Sequence, residues 1–357
     1  MESTGSYWKP VYNIFEEECI PIMVVNAQHI KGVPGRKTDV KDAEWIAELL
    51  QHGLLQPSYI PSKDQRELRE LVQYRKSLVG ERTRELNRLQ KMLEGANIKL
   101  SGTVTNINGK SARKILEYIL SGNEIDEKKY DEMYEEKLIA HNLKASKEQI
   151  LDDLKGFMSP LQRRMLKELL QHLDELNVHI ENLNDEIDNF MKPEEKQASQ
   201  VIQDVTGIGN TSAQTIIAVI GTDMERFPSD RHISSWAGLC PGDNVSAKKR
   251  KSGKIRKGNA LLKSTLVLCA HAAVRHKSSY FHAQFKRIST HRGKKRAYVA
   301  VAHSILIAIY HILKDGVKYQ DLGAEYYNQF NAERKIHAYL KKLKALGWEP
   351  PKEAVPA

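Results

Sequence analysis

Apolar positions in this chain recur mostly at helical spacing and only seldom in alternation. From Asp64 to Gly95 the set Leu68, Leu71, Val72, Arg75, Leu78, Val79, Arg82, Leu86, Leu89 and Leu93 keeps that spacing, and Arg66, Arg69, Lys76, Arg84, Arg88 and Lys91 occupy the other faces. This predicts one long basic helix, either laid along nucleic acid or laced with ion pairs to its own glutamates. From Leu166 to Phe190 the positions Leu166, Leu169, Leu173, Leu176, Ile180, Leu183, Ile187 and Phe190 alternate steps of three and four. That is a heptad seam, read as a coiled coil closed within the chain or between two chains, and Pro193 ends it. Upstream, Ile20 to Val25 reads as a short buried strand and Asp42 to Leu50 as an amphipathic helix, with Pro57 and Pro61 closing the region. Residues 101–137 predict short helices and loops. Helices resume after Gly207 and Gly209 and run to about Lys318, before a polar tail rich in Tyr and Lys. The pattern predicts an α-rich, mixed α/β fold in four parts: 1–62, 63–200, 201–325 and 326–357.

Charge sharpens this picture by its location. Between Asn244 and Ala300 there are 16 Lys and Arg and no Asp or Glu, while the rest of the chain carries 39 basic and 45 acidic residues. A one-sign block of this length is the footprint of a polyanion partner, whereas an ordinary solvated surface mixes signs. No run of 18 apolar residues occurs, so no membrane span is expected. Cys19, Cys240 and Cys269 are widely spaced and lack a CxxC pattern, which fits a reducing cytoplasm and argues against a disulfide framework or a cysteine zinc site.

Four constellations bear on chemistry. Asp39 and Asp42, three apart at the mouth of a helix, share one face and suit Mg²⁺; equally, they suit an N-cap and a first-turn dipole contact. Glu2 beside Thr4-Gly5 means little alone. Gly207-Ile208-Gly209 between apolar helical runs resembles a helix–hairpin–helix, a backbone phosphate contact, or is a plain helix connector. Ser246 and Ser252 lie in a loop with Lys248, Lys249, Arg250, Lys251, Lys254, Arg256 and Lys257. There a serine acts as nucleophile, its attack assisted by the cations, or only donates a hydrogen bond to phosphate.

In order, the segments ESTGSYW, GRKTDVKDAEWIAELLQHGLL, ERTRELNRLQKMLEGANIKL, TGIG…SSWAGLCPG, KRKSGKIRKGN and KKRAYVAVAHSILIAIYHIL resemble the insertion-sequence 110 family of transposases over nearly the whole chain. The resemblance implies a RuvC-like, RNase-H-type domain at the N-terminus, a coiled coil and a helical C-terminal transposase domain. It also implies a structured guide (bridge) RNA as partner, DNA as substrate, a homo-oligomer (dimer or tetramer), and Mg²⁺ or another divalent metal held by four acidic residues. Of these, Glu2, Asp39 and Asp42 match the last three, and Ser246 matches the attacking serine, with Ser252 second. The family's first Asp lies upstream of the ESTG segment, whereas here Met1 directly precedes Glu2, so a partial RuvC-like domain is expected. Two rival functions stand beside recombination: a non-catalytic nucleic-acid-binding remnant, and a metal-dependent nuclease or Holliday-junction resolvase.

Overall fold

The computed structural model describes residues 1–3, 5–26, 39–123, 125–139, 145–241, 244–246, 249–252, 255, 257–329 and 332–348, with backbone alone for 39–42, 244–246, 249–252, 328–329 and 333–335. It divides into two compact units, Met1–Arg66 and Glu67–Ala357.

The first unit holds α1 (Trp8–Glu17) and α2 (Asp39–Gln51). Three short extended pieces meet at Val25, which bridges Glu2 in parallel and Pro57 antiparallel. Ser3 N donates to Val25 O at 2.9 Å, Val25 N to Met1 O at 2.9 Å, and Ser58 N to Val24 O at 2.7 Å. Val25 and Leu49 form its buried apolar cluster, against partly buried Met23, Trp45, Ile46 and Leu55. The strand expected over Ile20–Val25 is thus shorter than its apolar run: Val24 and Val25 are buried, but Ile20 is exposed. Arg66 ties the end of the unit to α1 through Glu16 and Asn13.

The second unit is helical. α3 (Lys63–Gly95) is followed by α4 (Leu100–Thr103), α5 (Lys110–Leu120), α6 (Glu127–Glu135) and α7 (Lys147–Asp153). Next comes α8 (Pro160–Phe190), which starts where sequence chemistry dictates: Ser159 and Gln162 form a reciprocal capping box and Pro160 occupies the first turn. α3 and α8 run antiparallel. Arg75 reaches Asn184 (3.0 Å), Arg82 reaches Asn177 (3.2 Å) and His172 meets Glu85 (3.3 Å), so positions rise on one helix as they fall on the other. Between these polar rungs Leu78 packs with Leu176, Ile180 and Leu183. The apolar seam of α8 is therefore covered from within the chain.

The largest core joins α9 (Pro193–Ile202), α10 (Asn210–Ile220), α11 (Asp230–Trp236), α12 (Ala260–Ala273), α13 (Tyr280–Arg292) and α14 (Lys294–Asp315). α10 is apolar on nearly every side, with all residues from Ala213 to Ile220 buried, as suits a central helix. Buried Arg75 anchors it, donating to Gln214 Oε1 (2.7 Å), Thr211 O (3.1 Å) and Thr215 Oγ1 (3.3 Å). Burial alone pushes that guanidinium down to about 10. α14 has the length and composition to cross a bilayer, yet eight of its residues, from Ala297 to Ile312, are buried in the protein. Short α15 (Tyr326–Gln329) and α16 (Ala332–Ala345) follow, so the stretch expected as a polar tail carries a helix.

Candidate active-site hairpin

Between α11 and α12 the chain leaves the helical core as a two-stranded antiparallel ribbon, β1 (Asn244–Ser246) and β2 (Lys249–Ser252). Its register pairs Ser246 with Lys249, Val245 with Arg250 and Asn244 with Ser252, with an irregularity between Asn244 and Val245. A further bridge joins Pro241 to Ile255 at the base. Below it Gly258 closes against the α11 end: a Cβ there would stand 2.4 Å from Gly238 N and 2.5 Å from Ala237 C. No side chain fits in that space, so glycine lets the two ends of the ribbon come together. Asn259 then starts α12 by accepting from Leu262 N at 3.0 Å.

The two candidate serines therefore lie on neighbouring strands, with Lys249, Arg250 and Lys251 on the same ribbon. Lys257 is exposed just beyond it, while Lys248, Lys254 and Arg256 fall outside the described residues. The loop expectation is corrected here to a hairpin.

The glycine turn lies between α9 and α10. Gly209 is the exposed N-cap of α10, and no side chain caps it. Gly207 has φ +95°, and a Cβ there would meet Cys269 O at 2.5 Å and Ala273 N at 2.6 Å on α12. Packing against α12 is enough to explain Gly207, whereas Gly209 is exposed at the N-terminus of α10. Cys269 beneath the turn is buried, and that burial pushes its thiol up from the ordinary value.

Of the acidic residues, Glu2 sits on the segment bridged to Val25, and Asp39 and Asp42 lie in the first turn of α2. Among the described residues no group of three or more His, Cys, Asp or Glu is placed to hold a metal, and the side chains of Asp39 and Asp42 are not among those described. In kind, three carboxylates are hard oxygen donors and suit a divalent cation such as Mg²⁺.

Within the acid-free stretch, the sequence singles out only the cations of the ribbon and its flanks. The structure adds exposed Arg275 and Lys277 after α12, Lys286, Arg287 and Arg292 on α13, and Lys294, Lys295 and Arg296 opening α14. The available signal was that the acid-free stretch continues to Ala300, well past the ribbon.

Comparison with known proteins finds two family profiles on the chain. One, a transposase profile of the DEDD insertion-sequence 110 type, matches residues 1–98. The other, described as transposase of the IS116/IS110/IS902 family, matches residues 199–286 and so spans the glycine turn and the ribbon. The transposase for insertion sequence element IS1111A of Coxiella burnetii is 25% identical over 310 residues, 85% of this chain and 74% of that protein. An insertion element IS110 protein of Streptomyces coelicolor, uncharacterized and of 43.6 kDa, is 27% identical over 135 residues, 36% of this chain and 31% of its own length.

Proposed function

Because the chain belongs to the insertion-sequence 110 family of transposases, we propose that it recombines DNA through Ser246, with carboxylate-bound metal and a structured guide RNA as helpers. The enzyme class, DNA transposase, follows from the family; the mechanism is our reading. One observation carries it: Ser246 stands on a clamped ribbon inside a 57-residue stretch that holds 16 cations and no acid.

In this reading Ser246 Oγ bonds to phosphorus, the bond from phosphorus to one sugar oxygen breaks, and the hydroxyl proton passes to that departing oxygen through solvent. The phosphoester is conserved on the protein, so a second strand's hydroxyl can reverse the step without hydrolytic loss. Lys248, Lys249, Arg250, Lys251, Lys254, Arg256 and Lys257 stabilise the added negative charge of the five-coordinate state, worth a few kcal/mol in an enzyme site. Gly209, with Gly207 shaping its turn, offers backbone N–H groups to a phosphate. Glu2, Asp39 and Asp42 would hold the divalent cation, Mg²⁺ by donor hardness, and when bound it neutralises charge at a scissile phosphate. The guide RNA selects the DNA partners by pairing, and the active form is a dimer or tetramer.

The test is a denaturing gel of the full chain with labelled element-end DNA, Mg²⁺ and the RNA transcribed from the element's end. Wild type should give a covalent protein–DNA adduct. Ser246→Ala should abolish it while DNA affinity changes less than about twofold, since counterion release dominates binding. Ser252→Ala should be milder, and Asp39→Asn or Asp42→Asn should stop activity with folding retained. An adduct that survives in Ser246→Ala removes the serine assignment. Free cleaved DNA without adduct would favour a metal-dependent nuclease.

A further inference from the structure

A cavity of about 350 Å³ opens on the C-terminal helices, and none of its lining residues belongs to the ribbon or the glycine turn. Its walls come from Tyr280 and Phe281 at the start of α13, Ser304, Ile307 and His311 on α14, and the segment Val317–Leu322. Asp321 pins that segment. Its carboxylate accepts from Tyr280 N (2.8 Å), Gly323 N (2.8 Å), Tyr319 OH (3.2 Å) and Thr206 Oγ1 (3.3 Å), so this exposed acid is occupied in holding the segment to α13 and to Thr206.

The rim is aromatic and cationic. Tyr280 and Tyr327 stack with centroids 5.3 Å apart and planes at 24°, and Tyr327 OH donates to Tyr280 OH at 2.7 Å. Arg287 lies 4.4 Å above the Tyr327 ring. Burial pushes the Tyr319 phenol up to about 12 and raises that of Tyr327, so both stay neutral near pH 7 and add no negative charge. Behind the wall, Gln284 donates through Nε2 to Ser304 Oγ at 2.8 Å. Its Oε1 is buried with no hydrogen-bond partner among the described residues. The hollow thus combines apolar faces and a few convergent polar groups, Ser304 and His311 among them, beside the Arg287 cation.

We propose that this cavity receives one unpaired base of a DNA strand, stacked against Tyr280 with its polar edge at Ser304 and His311 and the adjoining phosphate on Arg287. Planar bases with apolar faces and polar edges are what proteins take up on aromatic side chains flanked by arginine. The proposal rests on the transposase reading, since a guide RNA that selects DNA by pairing leaves a displaced DNA strand unpaired. That commits the occupant to DNA, an apolar protein side chain or an RNA base being outcomes of the test.

The test is photo-crosslinking of the full chain to mixed-sequence single-stranded DNA with 5-iodouracil at each position in turn, then peptide mapping. All measurements use protein concentrations that bind all the DNA. A crosslink at Tyr280 or Tyr319 is expected. It should fall at least tenfold in Ala308→Phe and in Val317→Trp; the second change lies on a half-exposed residue outside the helices, so it tests the cavity without touching the core. Crosslinks confined to other residues, or undiminished in both filled variants, would overturn the proposal. So would an equal or stronger crosslink with RNA of the same sequence. If the Ser246 adduct forms and no crosslink maps to the cavity, this proposal alone falls. If the chain binds no DNA, the transposase mechanism falls and takes the cavity assignment with it.

Discussion

In the first unit Val25 and Leu49 are buried together, with four partly buried neighbours around them. In the second, one apolar cluster runs from Leu68 to Ile312 and gathers residues of eight helices. The unit that carries Glu2, Asp39 and Asp42 is therefore held among its described residues largely by backbone bonds at Val24 and Val25, with little burial to reinforce them. The unit that carries Ser246 stands on a deep helical platform. Burying a Val or Leu contributes about 1.5–3 kcal/mol, and among the described residues only Val24, Val25 and Leu49 do so in the first unit, far fewer than in the main cluster of the second. The candidate acidic residues thus lie on the thinner of the two scaffolds and the candidate serine on the thicker one.

The comparison breaks most visibly at the α3–α8 pair. Leu173 is fully buried and Ile180 nearly so. Because the seam is filled from within the chain, Leu173→Asp with Ile180→Asp should unfold the helix pair; splitting an otherwise intact dimer is not the expected result. Each buried carboxylate without a partner costs about 3–5 kcal/mol, so the double variant loses about 6–10 kcal/mol, comparable with the whole stability of a typical domain. Circular dichroism should show helix loss, and sedimentation should show no folded monomer. A fully helical species of half the wild-type mass would mean that the seam also serves between chains.

A smaller and local effect is expected from Leu49→Ala, about 2–4 kcal/mol for a buried leucine. Hydrogen exchange should accelerate across residues 1–58 and leave the amides of α10, α12 and α14 protected. If α10 and α14 lose protection equally, the two units share one stability and the contrast between them is wrong.

What could be read in advance divides along similar lines. The α8 seam was legible because a period of three and four needs only local spacing, and Leu166, Leu173, Leu176, Ile180, Leu183 and Ile187 are all buried. Its ends were misjudged: Leu170 is buried where Leu169 was expected, and Phe190 is exposed. Near Leu166 and Leu170 the helix packs on α5 and its neighbours, and farther on it packs on α3, so the buried face turns by one position. The ribbon was illegible, since Lys249-Arg250-Lys251 has no apolar alternation to mark a strand. The α16 helix was hidden in the same way by its lysines; Ile336, Tyr339 and Leu343 keep helical spacing but stay exposed. Candidate chemistry was readable as residue types and spacing. The pairing of the Glu2 segment with Val25 joins distant segments, which local spacing does not encode. The cavity at Tyr280 is of that second kind too, assembled from three separate segments.

The smallest effect concerns protonation within the thick core. His303 on α14 is half-buried, and that burial lowers its pKa from the ordinary histidine value; the charge of Asp230 pulls weakly the other way. The folded state therefore holds this imidazole neutral at pH values where the unfolded chain has begun to take up a proton. Stability contributed by His303 is present above the unfolded pKa of about 6.5 and is lost as pH falls through the lower folded value. His303→Gln removes the titration and keeps a polar group of similar reach. Between pH 7.5 and 5.5 the urea midpoint of the wild type should fall more than that of the variant. Every group other than residue 303 is common to both proteins, so its contribution cancels in the difference. Parallel pH dependences would mean that water already reaches the ring. A steeper fall in the variant would mean that Asp230 outweighs burial and that the imidazolium is the favoured form in the fold.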